Sequence, residues 1–340
     1  MSRVRTTSVI AATTALGAVT ALSLASGAGA QGTRQSCVPA PGQVEAVKVN
    51  NLQAIIDDSD SMRKSDPDRL RVAGIEQFIT NPENASKTLG VVEFGTNAAT
   101  VFARANVGNS RGAMIALLRS QVRADNGSTN YDKGFIKASQ DNPAAEARIF
   151  LTDGAHDGAY QNSHRGGPRT FVVGLGIGRT GASARRLQQI ANETGGVYFP
   201  NVAVATLQPT FRTISAAVNC LPIPRTFRTR RFTKKGQTST RTVRIAKGTK
   251  RMDLVLNWAQ PSNRFVFSRV SLLGRKNRVL ATLSGKGKPR KLRITKGSGK
   301  TFRSLSFKKS KGTRKLRFRV AARRVVKPER ALIQLTERTE

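Results

Sequence analysis

The feature that most restricts the fold of this chain is the alternation of strand-like and helical segments between Asn51 and Val218. Short apolar runs typical of buried strands lie at 52–56, 89–94, 100–103, 148–151 and 170–175. Stretches with apolar residues at helical spacing lie at 70–78, 113–120, 131–139, 183–192 and 204–218. Strands that alternate with helices predict an α/β fold with a doubly wound, mostly parallel sheet. Such sheets bind their ligands at the carboxyl ends of the strands.

A cluster of short polar residues follows the first of these strands. The sequence Asp57-Asp58-Ser59-Asp60-Ser61 has the spacing D-x-S-x-S directly after an apolar run. Alternation in the turn is expected to bring Asp57, Ser59 and Ser61 to one point. The same alternation turns Asp58 and Asp60 away from that point.

Two further oxygen donors are expected at the same edge of the sheet. Asp153 follows the strand-like run 148–151, and Thr129 lies just before the helix predicted at 131–139. The combined set of carboxylates and hydroxyls consists of hard oxygen ligands. Such ligands suit Mg²⁺, Mn²⁺ or Ca²⁺ and are poor for zinc. We therefore expect a divalent cation at this edge.

Between residues 45 and 218 the chain resembles the von Willebrand factor A (vWA) family. The metal-ion-dependent adhesion site (MIDAS) of that family combines D-x-S-x-S with a separate Thr and a separate Asp. The resemblance implies that one metal position is left for a carboxylate of a binding partner. Family members usually carry Gly where this chain has Asp60, which we expect to face solvent. The metal ligands that the resemblance implies are Asp57, Ser59, Ser61, Thr129 and Asp153.

A second motif favours a hydrolase instead. Gly108–Gly112 matches G-x-S-x-G, the nucleophile elbow of α/β hydrolases, with Ser110 as the nucleophile. Asp153 or Asp157 with His164 would complete the order Ser, Asp, His. The rival interpretation is a surface loop that opens a helix, and a hydrolase would need the Asp that the metal site already uses.

A third motif, Gly176–Gly181, matches the dinucleotide pattern G-x-G-x-x-G. It follows a late strand, and no acid ends a strand where a ribose would need one. The two histidines, His156 and His164, lie in the polar loop after Asp153, and we expect both to be solvated. The alternative for His156, together with Asp157, is the rim of the metal site.

The last third of the chain is strongly basic. Residues 221–340 contain 36 Lys and Arg against 4 Asp and Glu, which gives +32 of the net charge of +38. Two prolines predict an extended linker at 221–224. Short strand-like runs separated by Gly-containing turns predict an all-β sandwich at 225–340, with a faint resemblance to jelly-roll domains appended to secreted bacterial proteases. These runs lie at 242–245, 252–258, 265–273, 279–283, 291–294, 315–320 and 331–335.

Alternation of apolar residues with arginine in the run 315–320 predicts a sheet with one cationic face. The alternative is a solvated face that serves solubility alone. Acidic residues serve solubility better, and so much positive charge strains a small domain by self-repulsion. We therefore expect a polyanion: a cell-wall polymer, an anionic lipid surface, an acidic polysaccharide or DNA. The candidate contact residues are Arg317, Arg319, Arg323 and Arg324.

The N-terminal segment has the pattern of a secretory signal. Arg3 and Arg5 precede an apolar run from Val9 to about Ala25, which ends in the small residues 28–30. This pattern predicts a signal peptide at residues 1–30, with an uncleaved membrane anchor as the alternative.

The two cysteines bracket the α/β segment. Outside the cytoplasm, Cys37 and Cys220 predict a disulfide that ties together the ends of a domain at 31–220. A pair of free thiols would need a reducing compartment.

Together these features predict a protein that binds rather than catalyses and that is secreted, either free outside the cell or associated with the cell envelope. The main hypothesis is capture of a protein or polymer carboxylate through a divalent cation, with a basic module for polyanions. The alternatives are an envelope-attached structural protein with an inert first domain, and a secreted hydrolase.

Overall fold

The computed structural model describes residues 36–37, 46–203, 206–282, 290–291, 294–298 and 301–339. The predicted signal peptide lies outside these ranges. The described residues belong to one compact unit with separate hydrophobic cores in a first lobe (residues 46–221) and a second lobe (residues 225–339). No helix in the described ranges is long and apolar enough to cross a membrane.

The first lobe is built on a six-stranded sheet. A two-stranded antiparallel pair, β1 (Ser36–Cys37) and β2 (Ala46–Val47), precedes it. The six strands are β3 (Asn51–Asp57), β4 (Thr88–Phe94), β5 (Ala98–Asn106), β6 (Ala147–Thr152), β7 (Arg169–Leu175) and β8 (Val197–Val202). Their order is β5-β4-β3-β6-β7-β8, and only β5, at the edge, runs antiparallel to its neighbour.

Helices cover both faces of this sheet. Because side chains alternate along a strand, Ala54 and Ile56 of β3 join one core while Ile55 joins the other. The helices are α1 (Met62–Ser65), α2 (Leu70–Thr80), α3 (Val107–Gln121), α4 (Tyr131–Asp141), α5 (Ala182–Glu193) and α6 (Leu207–Val218). The first core contains residues of α2, α3 and α6, and the second contains residues of α4 and α5. The predicted doubly wound, mostly parallel α/β fold is confirmed.

The second lobe is an all-β sandwich, as predicted. Its strands are β9 (Arg225–Arg228), β10 (Thr238–Arg244), β11 (Arg251–Asn257), β12 (Arg264–Leu273), β13 (Val279–Thr282), β14 (Arg290–Lys291), β15 (Ile294–Ser298), β16 (Phe302–Lys308), β17 (Lys315–Arg324) and β18 (Leu332–Arg338). We call β15-β16-β11-β18-β9 the inner sheet and β10-β17-β12-β13-β14 the outer sheet. All pairings are antiparallel except that of β13 with β14.

Parts of the second lobe differ from the sequence interpretation. The run 291–294 was expected to form one strand. Instead β14 ends at Lys291 in the outer sheet and β15 begins at Ile294 in the inner sheet, so the chain changes sheets there. Strand β16 had no predicted counterpart, although its buried residues Leu305 and Phe307 alternate with serine in the period of a half-buried strand.

The lobes contact each other through α6 and the inner sheet. On the face of this sheet that points away from the sandwich core, Val255 and Gln334 are buried. Gln334 Nε2 donates a hydrogen bond to the carbonyl of Pro209 at 2.9 Å, and Gln208 Nε2 donates to Thr301 Oγ1 at 2.6 Å. The lobes therefore pack directly on each other, and their division into separate domains around residues 221–224 stays a prediction.

The beginning and the end of the first lobe lie close together. The amide of Val49, just after β2, donates to the carbonyl of Val218 at the end of α6 at 3.0 Å. Lys87 Nζ donates to the same carbonyl at 3.1 Å. The predicted disulfide depends on Cys37, whose side chain lies outside the described residues, so the bridge to Cys220 stays a prediction.

Candidate functional site

The loop after β3 gathers three of the predicted ligands. Asp57 ends β3, and its Oδ1 accepts hydrogen bonds from Ser59 N at 2.9 Å and from Ser59 Oγ at 2.5 Å. The hydroxyl oxygens of Ser59 and Ser61 lie 3.1 Å apart. Asp57 and Ser59 are buried, whereas Ser61 is exposed. These residues therefore share one point that opens to solvent at Ser61.

Asp153 and Thr129 reach the same point from other elements. Asp153 directly follows β6, and its Oδ1 accepts a hydrogen bond from Ser61 Oγ at 2.7 Å. A Cβ atom added at Gly154 would lie 3.2 Å from Thr129 Oγ1 and 3.8 Å from Ser61 Oγ. The structure thus brings all five predicted residues together at the carboxyl edge of the sheet.

Hydroxyl groups are essential members of this donor set. Within the described residues, no group of three or more His, Cys, Asp and Glu side chains is placed to hold a metal ion. The set instead combines two carboxylates with three hydroxyls. Two cis ligands of an octahedral ion with bonds of about 2.1 Å lie roughly 3.0 Å apart, close to the separation of the two serine hydroxyls. The residues therefore fit a small, hard divalent cation.

Burial controls the electrostatics of Asp57. Burial, with a smaller contribution from the neighbouring Asp153, raises the pKa of this carboxyl to about 6, although hydrogen bonds from Ser59 and Thr152 act in the opposite direction. Thr152 Oγ1 donates to Asp57 Oδ2 at 2.6 Å. A buried carboxylate beside a second one is a position where a cation would strongly favour the ionised form.

Asp58 turns away from this point, as expected, and anchors the loop. Its carboxylate accepts a hydrogen bond from Arg71 Nη2 at 2.8 Å and from the amides of Arg123 and Ala124 at 3.0 and 2.7 Å. Arg71 also contacts Asp66 through Nη1 at 3.2 Å. The side chains of Arg71, Asp58 and Asp66 are all fully buried. One guanidinium therefore bridges two carboxylates beneath the loop.

Asp60 also behaves as expected from the sequence. Its side chain is 55% exposed and pairs with Arg63 at 3.1 Å. Asp60 does not belong to the residues with positive φ, so the backbone here does not require the glycine that the family usually has.

Sequence reasoning missed two residues that contact the ligand set. Ser65 Oγ donates a hydrogen bond to Asp153 Oδ2, and Thr152 Oγ1 donates to Asp57. Ser65 lies four residues after Ser61, on the same side of the short helix α1, which is the signal that would have revealed it. Thr152 ends β6, one residue before Asp153, and there was no comparable signal for it.

The loop after Asp153 forms hydrogen bonds with Thr129 and with the start of α4. Asp157 accepts a hydrogen bond from Thr129 N at 2.8 Å, and its own amide donates to Thr129 O at 2.9 Å. His156 Nδ1 accepts from Tyr131 N at 2.9 Å and so caps α4. The expectation that His156 and His164 are solvated is wrong: they are 7% and 0% exposed, because both rings pack against aromatic side chains that include Tyr160.

The hydrolase arrangement is absent from the described contacts. Ser110 lies inside the first turns of α3 rather than at a strand-to-helix elbow. His164 has one ring nitrogen 2.7 Å from Tyr160 Oη and the other 2.7 Å from Glu193 Oε2, and burial lowers its pKa. Both nitrogens are therefore engaged away from Ser110.

The glycine-rich segment between β7 and α5 is hydrogen-bonded to a side chain of the same lobe. Tyr198 Oη donates to the carbonyls of Ile177 and Gly178 at 3.0 and 2.9 Å. Gly176 and Gly181 have φ values of 65° and 95°, which explains the glycines without a ligand.

The outer sheet carries the predicted cationic face. Arg317 Nε donates to Thr242 Oγ1 at 3.2 Å, and Arg319 Nε donates to Thr240 Oγ1 at 3.3 Å. Both threonines lie on β10, so each guanidinium is oriented with its remaining N–H groups free to face solvent. Arg269 of β12 lies directly opposite Arg319. Like charges in such a pair destabilise a sheet.

The acids of the second lobe do not offset this charge. Asp253 accepts from Arg338 Nε at 2.6 Å, and Glu337 pairs with Arg225 at 2.7 Å. Glu329 accepts from Asn263 at 2.8 Å. Of the described acids in this lobe, none therefore faces the arginines of β17. The remaining candidates, Arg323 and Arg324, are exposed at the end of β17, where the ladder with β12 is irregular.

Comparison with known proteins finds similarity at the level of the fold. The sequence matches no protein-family model and no curated protein. A von Willebrand factor type A structure from Catenulispora acidiphila is 18% identical, with a TM-score of 0.43, over 87% of this chain and 64% of that one. Mussel proximal thread matrix protein 1 with a zinc-occupied MIDAS is 16% identical, with a TM-score of 0.42, over 53% and 49%. An aerotolerance-related membrane protein from Bacteroides fragilis is 18% identical, with a TM-score of 0.40, over 50% and 98%.

The first lobe resembles the von Willebrand factor A family. Its strand order and the D-x-S-x-S turn at the end of β3 carry this resemblance, and we call it the A-type lobe below. The chain spans less than two thirds of the first solved structure above and about half of the second.

The buried ion pairs of Arg71 with Asp58 and Asp66 should dominate the stability of the loop after β3, which we call the metal-site loop. Arg71→Met leaves Asp58 and Asp66 buried without their cation, so we expect the free energy of unfolding to fall by about 3–5 kcal/mol. Urea unfolding measures this loss. The control, Lys137→Met, breaks the more exposed pair with Asp141 and should cost less than about 1 kcal/mol. Equal losses in the two variants would contradict this role for Arg71.

Proposed function

We propose that the A-type lobe holds a divalent cation and uses it to bind a carboxylate of a partner molecule. The observation that supports this most directly is the convergence of hydroxyls and carboxylates at the carboxyl edge of the sheet. The ligands in this proposal are Asp57, Ser59, Ser61, Thr129 and Asp153.

The charges of the site support a binding role. Two carboxylates balance a divalent cation, while hydroxyls add no negative charge, so the ion would remain a good acceptor for another anion. The exposure of Ser61 keeps one side accessible to solvent. Asp60 adds no charge to the site, because its side chain pairs with Arg63. A bound cation would supply electrostatic attraction, and the residues of the loop would orient it.

The second lobe would add attraction for polyanions through the arginine face of the outer sheet. Two functions in one chain suit a secreted or envelope-associated protein that joins two surfaces. A structural protein with an inert A-type lobe is the alternative, and the cationic face alone favours it. The engagement of both His164 nitrogens argues against a hydrolase.

Metal binding should depend on the two carboxylates. In the full mature chain, Asp57→Asn and Asp153→Asn should each weaken cation binding by more than about 100-fold, because a charged ligand is lost. Calorimetric titration with Mg²⁺, Ca²⁺, Mn²⁺ and Zn²⁺ measures this, with zinc included because of the mussel protein. At 100 times the dissociation constant, the cation should stabilise the wild-type chain by about 2.7 kcal/mol.

Asp60→Asn serves as the matched control for these variants. It lies in the same loop but faces solvent, so its cation affinity should stay within about threefold of wild type. Unchanged affinity in both Asp57→Asn and Asp153→Asn would remove the metal site from the proposal.

Partner capture should require the cation. We expect the full chain to be retained on envelope material of the producing cells in Mg²⁺ or Ca²⁺ and to be released in part by EDTA. Asp153→Asn should behave like the wild type in EDTA. Retention that ignores both the chelator and the variant would support the structural alternative instead.

Polyanion binding should depend on the arginines of the cationic face of the outer sheet. On a heparin column, a variant with Arg317, Arg319, Arg323 and Arg324 changed to Gln should elute at clearly lower salt, because fewer counterions are exchanged. The control changes four exposed cations that lie outside the outer sheet to Gln, namely Lys247, Lys250, Lys308 and Lys311. Equal shifts in the two variants would mean that only net charge matters. EDTA should leave both elution positions unchanged.

A further inference from the structure

A cavity of about 430 Å³ lies between the two lobes. Residues of α2 and α6 line it from the A-type lobe, and residues of β11 and β16 line it from the inner sheet. Its volume falls within the range of about 300–1,000 Å³ that is typical of pockets for small ligands. The cavity is separate from the five residues of the metal site, none of which lines it.

The acids of the cavity already have partners. Asp253 accepts hydrogen bonds from Ser306 Oγ at 2.5 Å and from Arg338 Nε at 2.6 Å. Glu83 accepts from Arg338 Nη1 at 2.6 Å. Arg338 therefore joins an acid of each lobe to one guanidinium.

Arg212 makes no direct ion pair in the described part of the chain. It lies on α6 and lines the cavity, and its Nε is buried there without a hydrogen bond. Burial lowers the pKa of this guanidinium, while the charges of Asp253 and Glu83 act in the opposite direction from a greater distance. A buried donor that lacks an acceptor is costly. An anionic ligand would supply that acceptor.

The rest of the lining is largely apolar. Phe78 and Phe211 are each 1% exposed, and Val255 faces them from the inner sheet. The lining contains three arginines and two acidic residues, which leaves one unbalanced positive charge. A monoanion with an apolar body matches this lining better than a dianionic phosphate.

We propose that the cavity between the lobes binds a small amphipathic monocarboxylate, with the carboxylate on Arg212 and the apolar part against Phe78 and Phe211. This site does not depend on the metal site. It would place a small molecule at the contact between α6 and the inner sheet, where both lobes touch it.

Three probes that share one apolar body test the charge requirement. The full mature chain is titrated with 3-phenylpropionate, 3-phenylpropanol and 3-phenylpropylammonium by calorimetry and ligand-observed NMR. We expect the carboxylate to bind with a dissociation constant of about 1 mM, the alcohol at least tenfold more weakly, and the ammonium not at all. Equal binding of the acid and the alcohol would overturn the role of Arg212.

Two variants test the location. Arg212→Met keeps an unbranched apolar stem but removes the charged guanidinium, and Ser304→Phe fills the cavity from β16. Each should weaken 3-phenylpropionate at least tenfold, while Arg104→Met, at an exposed site on β5, should not. If Arg212→Met does not fold, Ser304→Phe and the probe series decide the question. Binding that persists in Ser304→Phe would mean diffuse attraction to a basic surface and would overturn the proposal. Because the site needs no cation, EDTA should leave the affinity unchanged, which separates this test from that of the metal site.

Discussion

The fully buried guanidinium of Arg71 is the interaction on which the metal-site loop depends. It bridges Asp58 of the loop to Asp66 before α2, and the Asp58 carboxylate in turn accepts the amides of Arg123 and Ala124. The loop after β3 is thereby fixed to the segment after α3. Because Asp57 and Ser59 adjoin this anchor, their positions are set before any ion binds. Preorganisation of this kind lowers the cost of binding.

Much of the site was predictable from sequence because parallel strands deliver their final residues to one edge. Asp57 and Asp153 follow neighbouring strands, so their encounter follows from the strand order. The alternation of side chains within the turn correctly predicted that Asp58 and Asp60 lie outside the ligand set. Ser65 has a sequence signal only in its spacing of four residues from Ser61, and Thr152 has none, so neither residue was predicted to contact the ligands. The burial of the two histidines was not predicted, because a polar loop has no apolar periodicity that would indicate burial.

The second lobe illustrates a different limit of sequence reasoning. Its class followed from regular short strands and turns, yet β16 was missed, and one predicted run was divided between two sheets. The inner sheet is also buried on both faces, with Val255 and Gln334 covered by the other lobe. A period-two pattern identifies a strand but does not tell which element covers its second face. The pairing of the lobes could be read only from the structure.

The direct packing of α6 on the inner sheet has a mechanical consequence. If the two binding surfaces proposed above held two objects at once, tension would pass through the middle of the molecule. That tension would be shared between the covalent chain at residues 221–224 and the hydrogen bonds of Gln208, Gln334 and Arg338. Bonds loaded in parallel resist together, so the joint would yield abruptly at a threshold force instead of stretching like a tether.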